Sequence, residues 1–180
     1  ERSRGLGDVY KRQNMNDVLT RFIASGSLEP KETMPTVAPS MDIQIPSSLE
    51  RLIYDLEGDT SSFYNQLQNE KVATLSEDAT KKLQSIFSSK SFDDEMILRE
   101  IKDFNKNYDW IVDPHTATAV SEKVTFASNL PVVGVATASP EKFSNVISSV
   151  ISSFSVKNSE NTEDYIVCRS DSSTVENAIK

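Results

Sequence analysis

A short apolar run followed at once by a helix start restricts this chain to few fold classes. Residues 132–135 read Val-Val-Gly-Val, which is typical of a strand buried in a parallel sheet. After a turn at Thr137, Ser139 is a good N-cap and Pro140 suits the first position of a helix. Because ligands of α/β sheets bind beyond the carboxyl ends of strands, Thr137 lies where a site is expected. This strand-to-helix unit predicts an α/β fold.

Helical periodicity accounts for much of the remaining chain. Two apolar patterns end at Gly26 and Gly58, which suits helices with a C-terminal glycine. Met41 to Ile45 is expected to be extended. After it, Ser47 with Glu50 has the spacing of a capping box, and Ser91 with Asp94 is a looser version that opens a helix ending near residues 105–107. Further elements are expected as helices over 61–67, 77–88, 115–127 and 143–151, and as a strand over 110–112.

Residues 1–13 show neither helical nor strand periodicity. We interpret them as a non-native, adapter-derived leader and leave them out of the predicted fold, with a native linker as the alternative. Residues 14–155 are expected to form the folded region. Residues 156–180 are expected to be a polar C-terminal extension that can end in a short helix.

Net charge argues against a nucleic-acid partner. Residues 1–13 hold four basic and two acidic side chains, which leaves 15 basic against 25 acidic in the rest, a net charge of −10. Such an acidic body repels phosphate backbones. The longest apolar stretch, 130–136, is far shorter than the about 20 residues of a membrane-spanning helix. We expect neither a nucleic-acid partner nor a membrane partner.

The chain has one cysteine, Cys168, and one histidine, His115. A single cysteine cannot form an intrachain disulfide, and the two residues do not make a Cys/His metal site, so no metal is predicted. Cys168 is interpreted as an ordinary thiol in a reducing, cytoplasmic setting, with organelle targeting left open. His115 can act as a general acid or base, but we interpret it as a hydrogen-bonded structural residue at a helix start.

Four motifs, in order along the chain, relate it to a known family. They are Asn16-Asp17 with Arg21-Phe22, PSMDIQIPSSLER at residues 39–51, DPHTA at residues 113–117, and ATASPEKF at residues 136–143. They resemble the N.ND…RF, PSMDI…SN.ER, DPHTA and TAHPAKF segments of threonine synthases. The resemblance covers roughly residues 14–155, so it spans most of the chain.

The resemblance implies a fold, a cofactor and a reaction. The fold is that of the fold-type II (tryptophan synthase β-like) enzymes that depend on pyridoxal 5′-phosphate (PLP), helix-rich with a few parallel strands. The reaction converts O-phosphohomoserine and water to threonine and phosphate, and this chain looks like the C-terminal part of such an enzyme. Thr137 matches the family threonine whose neutral hydroxyl meets the pyridine nitrogen of PLP. The alternative is a threonine that bonds the local turn or caps the helix.

Four further residues are substrate-binding candidates. Asp42, Ser48 and Arg51 can contribute to a phosphate or carboxylate pocket, because helix N-termini and arginine bind oxyanions. His115 is the fourth. Ser48 stands where the family usually has Asn, which leaves the substrate open. The alternative is that the serines cap a helix and Asp42 bonds the backbone.

Two parts of the expected chemistry have no match in the sequence. No lysine matches the family's Schiff-base lysine, and the five glycines, at positions 5, 7, 26, 58 and 134, form no phosphate-binding loop. We therefore assign no catalytic residue, expect the isolated chain to be inactive, and expect the missing N-terminal part of the enzyme as its partner. The alternatives are a threonine-synthase-like phospholyase acting on another phosphorylated amino compound, and a non-catalytic interaction fragment.

Overall fold

A computed structural model describes residues 9–121 and 133–155 of the chain. Within this part, short helices outnumber strands, and two 3₁₀ turns, Pro39–Met41 and Pro140–Phe143, precede α2 and α7. The elements are β1 Val9–Gln13, α1 Val18–Ser25, β2 Ser27–Leu28, α2 Leu49–Glu57, α3 Ser61–Glu70, β3 Ala73–Thr74, α4 Glu77–Ile86, β4 Phe87–Ser91, α5 Asp94–Tyr108, α6 Pro114–Val120 and α7 Ser144–Ser148.

The first hydrophobic cluster joins helices α1 to α4. Phe22, Ile53 and Leu83 are fully buried in it, one from each of three helices. The Phe22 ring meets the Phe63 ring edge-on, with centroids 6.1 Å apart. Edge-to-face aromatic contacts stabilise a core beyond the area that they bury.

The second hydrophobic cluster joins α5, α6 and α7. Its fully buried members include Ile97 and Ile101 of α5 and Ile147 of α7. Ala38, which lies just before the first 3₁₀ turn, is buried against the same cluster. The turn is therefore attached to the cluster that contains α6, the helix that carries the DPHTA motif.

Strand β1 lies in the segment 1–13 that the predicted fold left out, while the non-native origin of that segment stays a prediction. The strand pairs in parallel with β4, from Val9 opposite Phe87 to Gln13 opposite Ser91. Gln13 is buried, and its Oε1 accepts the backbone N–H of Thr20 at 2.8 Å. Leaving residues 9–13 out of the fold was therefore wrong. The alternation of apolar and polar residues that marks a strand is missing from β1, because most of its side chains are only half-buried. Backbone pairing with β4 holds the strand in place.

The glycine helix ends are confirmed. Gly26 has φ 74° and Gly58 has φ 76°, so both occupy the left-handed region that favours glycine. Each donates its backbone N–H to the fourth preceding carbonyl, that of Phe22 and that of Tyr54 respectively. The helices predicted over 61–67 and 77–88 are also present, as α3 and α4 with different ends.

Both predicted capping boxes were wrong in position. Helix α2 follows Ser48, whose side chain makes no capping bond, and Ser47 lies in the preceding turn. Helix α5 is capped by Asp93, whose Oδ1 accepts the Met96 N–H at 2.7 Å. Ser91 belongs to β4, because its backbone pairs with Gln13 instead of starting a helix.

The structure also differs from the sequence prediction in three segments that were expected to be extended. Residues 110–112 form no strand, because Asp109 turns the chain with φ 53° and buries Val112 against the second cluster. Met41 lies in the 3₁₀ turn, so the extended run from Met41 to Ile45 was wrong. Residues 133–135 are not a buried strand in the described part of the chain: Val133 is 83% exposed and Val135 68% exposed. Residue 132 and residues 122–127 lie outside the described residues.

Of the predicted strand-to-helix unit, the structure confirms only the helical part. Ser139 caps the 3₁₀ turn, and its Oγ accepts the Glu141 N–H at 3.4 Å. Pro140 occupies the first position, as predicted. The α-helix itself is shorter than expected and ends at Ser148. The described helices include none that is long and apolar enough to cross a membrane.

Candidate functional site

Asp113 is the centre of the candidate site. It precedes α6 and caps it, because its Oδ1 accepts the His115 backbone N–H at 2.9 Å. The same oxygen lies 2.8 Å from His115 Nδ1, and Oδ2 accepts the hydroxyl of Thr116. Asp113 is almost fully buried. A buried carboxylate is stable only when it is hydrogen-bonded, and three donors serve this one.

His115 connects α6 to the first 3₁₀ turn. Its Nε2 accepts the backbone N–H of Ser40 at 3.0 Å. The ring is buried and lies against Phe143, with centroids 4.8 Å apart. The structure therefore supports the interpretation of His115 as a hydrogen-bonded residue, since protein groups occupy both ring nitrogens. A direct contact between His115 and substrate stays a prediction.

Thr137 lies at the other end of the same network. Its backbone N–H is 3.4 Å from Thr116 Oγ1, a long hydrogen bond. Gly134 lies against the end of α6, where a Cβ at this position would be 3.4 Å from Val120 Cγ1. Segment 133–137 therefore runs along α6, and Thr137 is exposed to solvent. An exposed threonine hydroxyl is available to a ligand, but a local turn role for Thr137 stays open.

Asp42 has a second, separate network. Its Oδ1 accepts the side-chain amides of Asn14 at 2.6 Å and Asn16 at 3.0 Å, and the Thr36 hydroxyl at 2.7 Å. Its Oδ2 accepts the Thr36 backbone N–H at 3.1 Å. Asn14 also donates to the Ala38 carbonyl at 3.1 Å. Asp42 therefore fixes the segment that leads into the 3₁₀ turn.

Ser48 and Arg51 are not brought together with Asp42. Both are exposed, and Ser48 lies at an apolar cavity of about 160 Å³ between α1, α2, β1 and β4. Neither Asp42 nor Arg51 lines that cavity. In the described part of the chain, no hydrogen bond or ion pair of Arg51 is seen. The described residues thus assemble no phosphate pocket from these three side chains.

Sequence reasoning missed several members of these networks, among them Thr116, Asn14 and Asn16. Thr116 carried a signal, because it stands three residues after Asp113, the position that an N-cap side chain reaches. Asn16 stands in the first family motif, but the role of the two asparagine side-chain amides was not readable, since the groups to which they donate lie 18 or more positions along the chain. The described residues include no group of His, Cys, Asp and Glu that can hold a metal ion.

Comparison with known proteins finds threonine synthases and threonine synthase-like proteins. A threonine synthase from Pseudomonas aeruginosa is 30% identical over 141 residues, which cover 74% of this chain and 30% of the relative. One from Corynebacterium glutamicum is 32% identical over 146 residues, with the same coverages. A threonine synthase-like 2 protein from Xenopus laevis is 30% identical over 141 residues, again covering 74% of this chain and 30% of the relative. No protein-family model matches the chain.

Solved structures agree with the sequence relatives. The PLP-bound threonine synthase from Brucella melitensis aligns with a TM-score of 0.75 at 29% identity, over 79% of this chain and 32% of that one. Yeast threonine synthase aligns with a TM-score of 0.74 at 24% identity, over 96% of this chain and 41% of that one, and shows the shared fold. The fold is that of PLP-dependent fold-type II enzymes. The chain spans about a third of the length of these proteins, and over that span it belongs to the threonine synthase family.

Proposed function

We propose that this chain forms one wall of the cofactor site in a PLP-dependent enzyme of the threonine synthase family, with Thr137 as the contact to the pyridine nitrogen. The observation that carries the proposal is the anchoring of Thr137: its backbone N–H reaches Thr116, which is bonded to the buried Asp113. A fixed backbone beside an exposed hydroxyl suits a directed hydrogen bond to a ring nitrogen.

The described residues fit part of the cofactor only. A neutral hydroxyl at Thr137 suits the ring nitrogen, because it does not hold a proton there as a carboxylate does. Gly26 and Gly58 end helices α1 and α2, so neither belongs to a phosphate-binding loop. The Asp113 network, from Ser40 to Thr137, contains no lysine. When bound, PLP would withdraw electrons from the amino-acid substrate, and Thr137 would help to orient its ring.

We further propose that the intact enzyme converts O-phosphohomoserine and water to threonine and phosphate in the cytoplasm. The remainder of the enzyme supplies the lysine and the phosphate loop. The 180-residue chain alone, incubated with PLP and O-phosphohomoserine, should release no phosphate and develop no visible absorbance of bound PLP. The Pseudomonas aeruginosa relative serves as the positive control. Phosphate release by the chain alone would contradict the proposal.

The Thr137 contact is tested in a chimera. Residues 9–155 replace the aligned segment of the Pseudomonas aeruginosa relative, so that β1 is kept, and the visible spectrum of bound PLP is recorded. Thr137→Val removes the hydroxyl at constant shape and should weaken PLP binding and shift the spectrum, whereas Thr137→Ser should retain both. If Thr137→Val matches the parent in both readouts, Thr137 bonds only its own turn.

A second function stays open because of Ser48. The serine replaces the usual Asn, its side chain caps no helix, and a relative is named threonine synthase-like 2. A hydroxyl offers fewer directed hydrogen bonds than an amide, which suits a different phosphorylated amino compound. Phosphate release by the chimera and its Ser48→Asn variant, measured across such compounds, distinguishes the two functions. Preference for O-phosphohomoserine in both proteins would exclude the second.

A further inference from the structure

We propose that His115 is a positioning residue, fixed as the neutral Nδ1–H tautomer, that holds the 3₁₀ turn at Ser40 and the segment at Thr137 in one arrangement. This proposal deepens the proposed function and rests on it for the role of Thr137. Its subject is the relay Ser40–His115–Asp113–Thr116–Thr137, which we call the α6 relay.

The tautomer of His115 follows from its two partners. The backbone N–H of Ser40 can only donate, so Nε2, 3.0 Å away, must be the unprotonated acceptor. The ring hydrogen therefore lies on Nδ1, which donates to Asp113 Oδ1 at 2.8 Å. In a ring protonated on both nitrogens, Nε2–H and the Ser40 N–H would both be donors, so no hydrogen bond could form between them.

The other half of the relay has an equally fixed direction. The backbone N–H of Thr137 also only donates, so Thr116 Oγ1 is its acceptor. The single hydroxyl hydrogen of Thr116 then goes to Asp113 Oδ2. Two backbone donors at the ends and one buried carboxylate in the middle leave a single arrangement of hydrogens. A change at His115 should therefore reach Thr137 through Asp113.

Packing limits the alternatives for the His115 ring. The ring is buried against Phe143, which begins the chain's entry into α7. Flipping the ring would turn Nε2 away from the Ser40 N–H and Nδ1 away from Asp113, so both hydrogen bonds of the ring would be lost. The ring is thus held by the turn on one side and by the segment after Thr137 on the other.

The tautomer is measured on the 180-residue chain itself. Because His115 is the only histidine, its two ring nitrogens give the only imidazole signals in a long-range ¹H–¹⁵N NMR spectrum. Above about pH 8, where a free imidazole is neutral, Nδ1 should appear protonated and Nε2 unprotonated. An Nε2–H ring, or two averaged nitrogens, would overturn the proposal.

The relay is tested with variants that cut one bond each. His115→Gln keeps an acceptor near Ser40 and loses the Asp113 bond, whereas His115→Asn keeps the Asp113 bond and loses the acceptor. The control is Thr118→Val, which removes a buried hydroxyl bonded at 2.8 Å to the His115 carbonyl in the same helix but outside the relay. Circular dichroism confirms that each variant is folded.

Amide hydrogen exchange is the readout. Protection of the Ser40 amide should fall about tenfold in His115→Asn, the loss of one hydrogen bond of about 1.4 kcal/mol, and be retained in His115→Gln. The Thr137 amide resonance should shift in His115→Gln and stay in place in Thr118→Val. A Thr137 resonance that moves equally in the control, or not at all in His115→Gln, would overturn the relay. These measurements need no PLP, so their failure is distinguishable from failure of the proposed function.

Discussion

At the scale of single residues, Asp42 shows that the presence of a residue in a family motif can have a structural explanation. Its carboxylate accepts four hydrogen bonds from Asn14, Asn16 and Thr36, and so orders the segment before Ser40. The PSMDI segment therefore contributes to the α6 relay by ordering the 3₁₀ turn that carries Ser40. Its link to substrate, predicted from the sequence, is not needed to explain the aspartate.

Asp42→Asn should lower the free energy of unfolding by about 1–3 kcal/mol, because an amide replaces one acceptor by a donor and removes the charge. Chemical denaturation measures the change. Asp103→Asn on the exposed face of α5 is the matched control and should change stability by less than about 0.5 kcal/mol. Equal effects of the two substitutions would show that the Asp42 network contributes nothing.

Asp59 gives the chain a local dependence on pH. The N–H groups of Ser62 and Ser61 lower the pKa of the Asp59 carboxyl from its usual value. The carboxyl thus stabilises the fold above its unfolded pKa, and this contribution is lost as the pH falls through the lower folded pKa. The difference in stability between the chain and Asp59→Asn should narrow as the pH falls below about 4. A difference that is constant with pH would contradict this.

At the scale of elements, two helix-ending glycines form a matched pair. A Cβ at Gly26 would lie 2.3 Å from Thr80 Oγ1, whereas nothing lies within 4 Å of one at Gly58. Both have positive φ, so Gly58→Ala should cost about 1 kcal/mol of backbone strain. Gly26→Ala should cost clearly more, because α4 must also move. Thermal unfolding compares them, and equal losses would rule out the steric clash.

Strand β1 should contribute to stability despite its polar sequence. Removal of residues 1–13 deletes the partner of β4 and the Gln13 side chain that accepts from Thr20. The shortened chain should unfold at lower denaturant concentration than the full chain. Removal of residues 1–8 alone is the control and leaves β1 intact. Identical midpoints for all three chains would support the interpretation of this segment as a dispensable leader.

The elements also show what sequence can predict. Helices α1 and α2 were predictable because their signals are local: periodic apolar residues and a glycine at the end. Strand β1 and the buried Asn14 were not, because each depends on partners far along the chain. His115 lies between these cases. Its position at a helix start was readable, but its bond to Ser40 spans 75 positions.

At the scale of the whole molecule, Val133 and Val135 form an apolar strip that is exposed in the described part of the chain. Val133 and Val135 alternate along a segment whose other side meets α6 through Gly134. The segment reads as a buried strand but has no strand partner in the described residues. Since the chain spans about a third of its relatives' length, we propose that the rest of the enzyme covers this strip.

Replacement of both valines by serine should leave the stability of the isolated chain within about 0.5 kcal/mol, because exposed side chains contribute little. Ile147→Ala, in the second cluster, is the buried control and should cost about 2–5 kcal/mol. In the chimera with the Pseudomonas aeruginosa relative, the double serine variant should lose assembly and activity. Full activity there would show that the strip stays exposed.

The parallel pairing of β1 with β4 sets an order of events during synthesis. Val9 pairs with Phe87, 78 positions later. At a translation rate of about 5–20 residues per second, β1 waits roughly 4–16 s before its partner has been added. Helices α1 to α4 are made in that interval, and the strand that closes them was synthesised before any of them. In a growing chain, β1 therefore has no strand partner until β4 has left the ribosome.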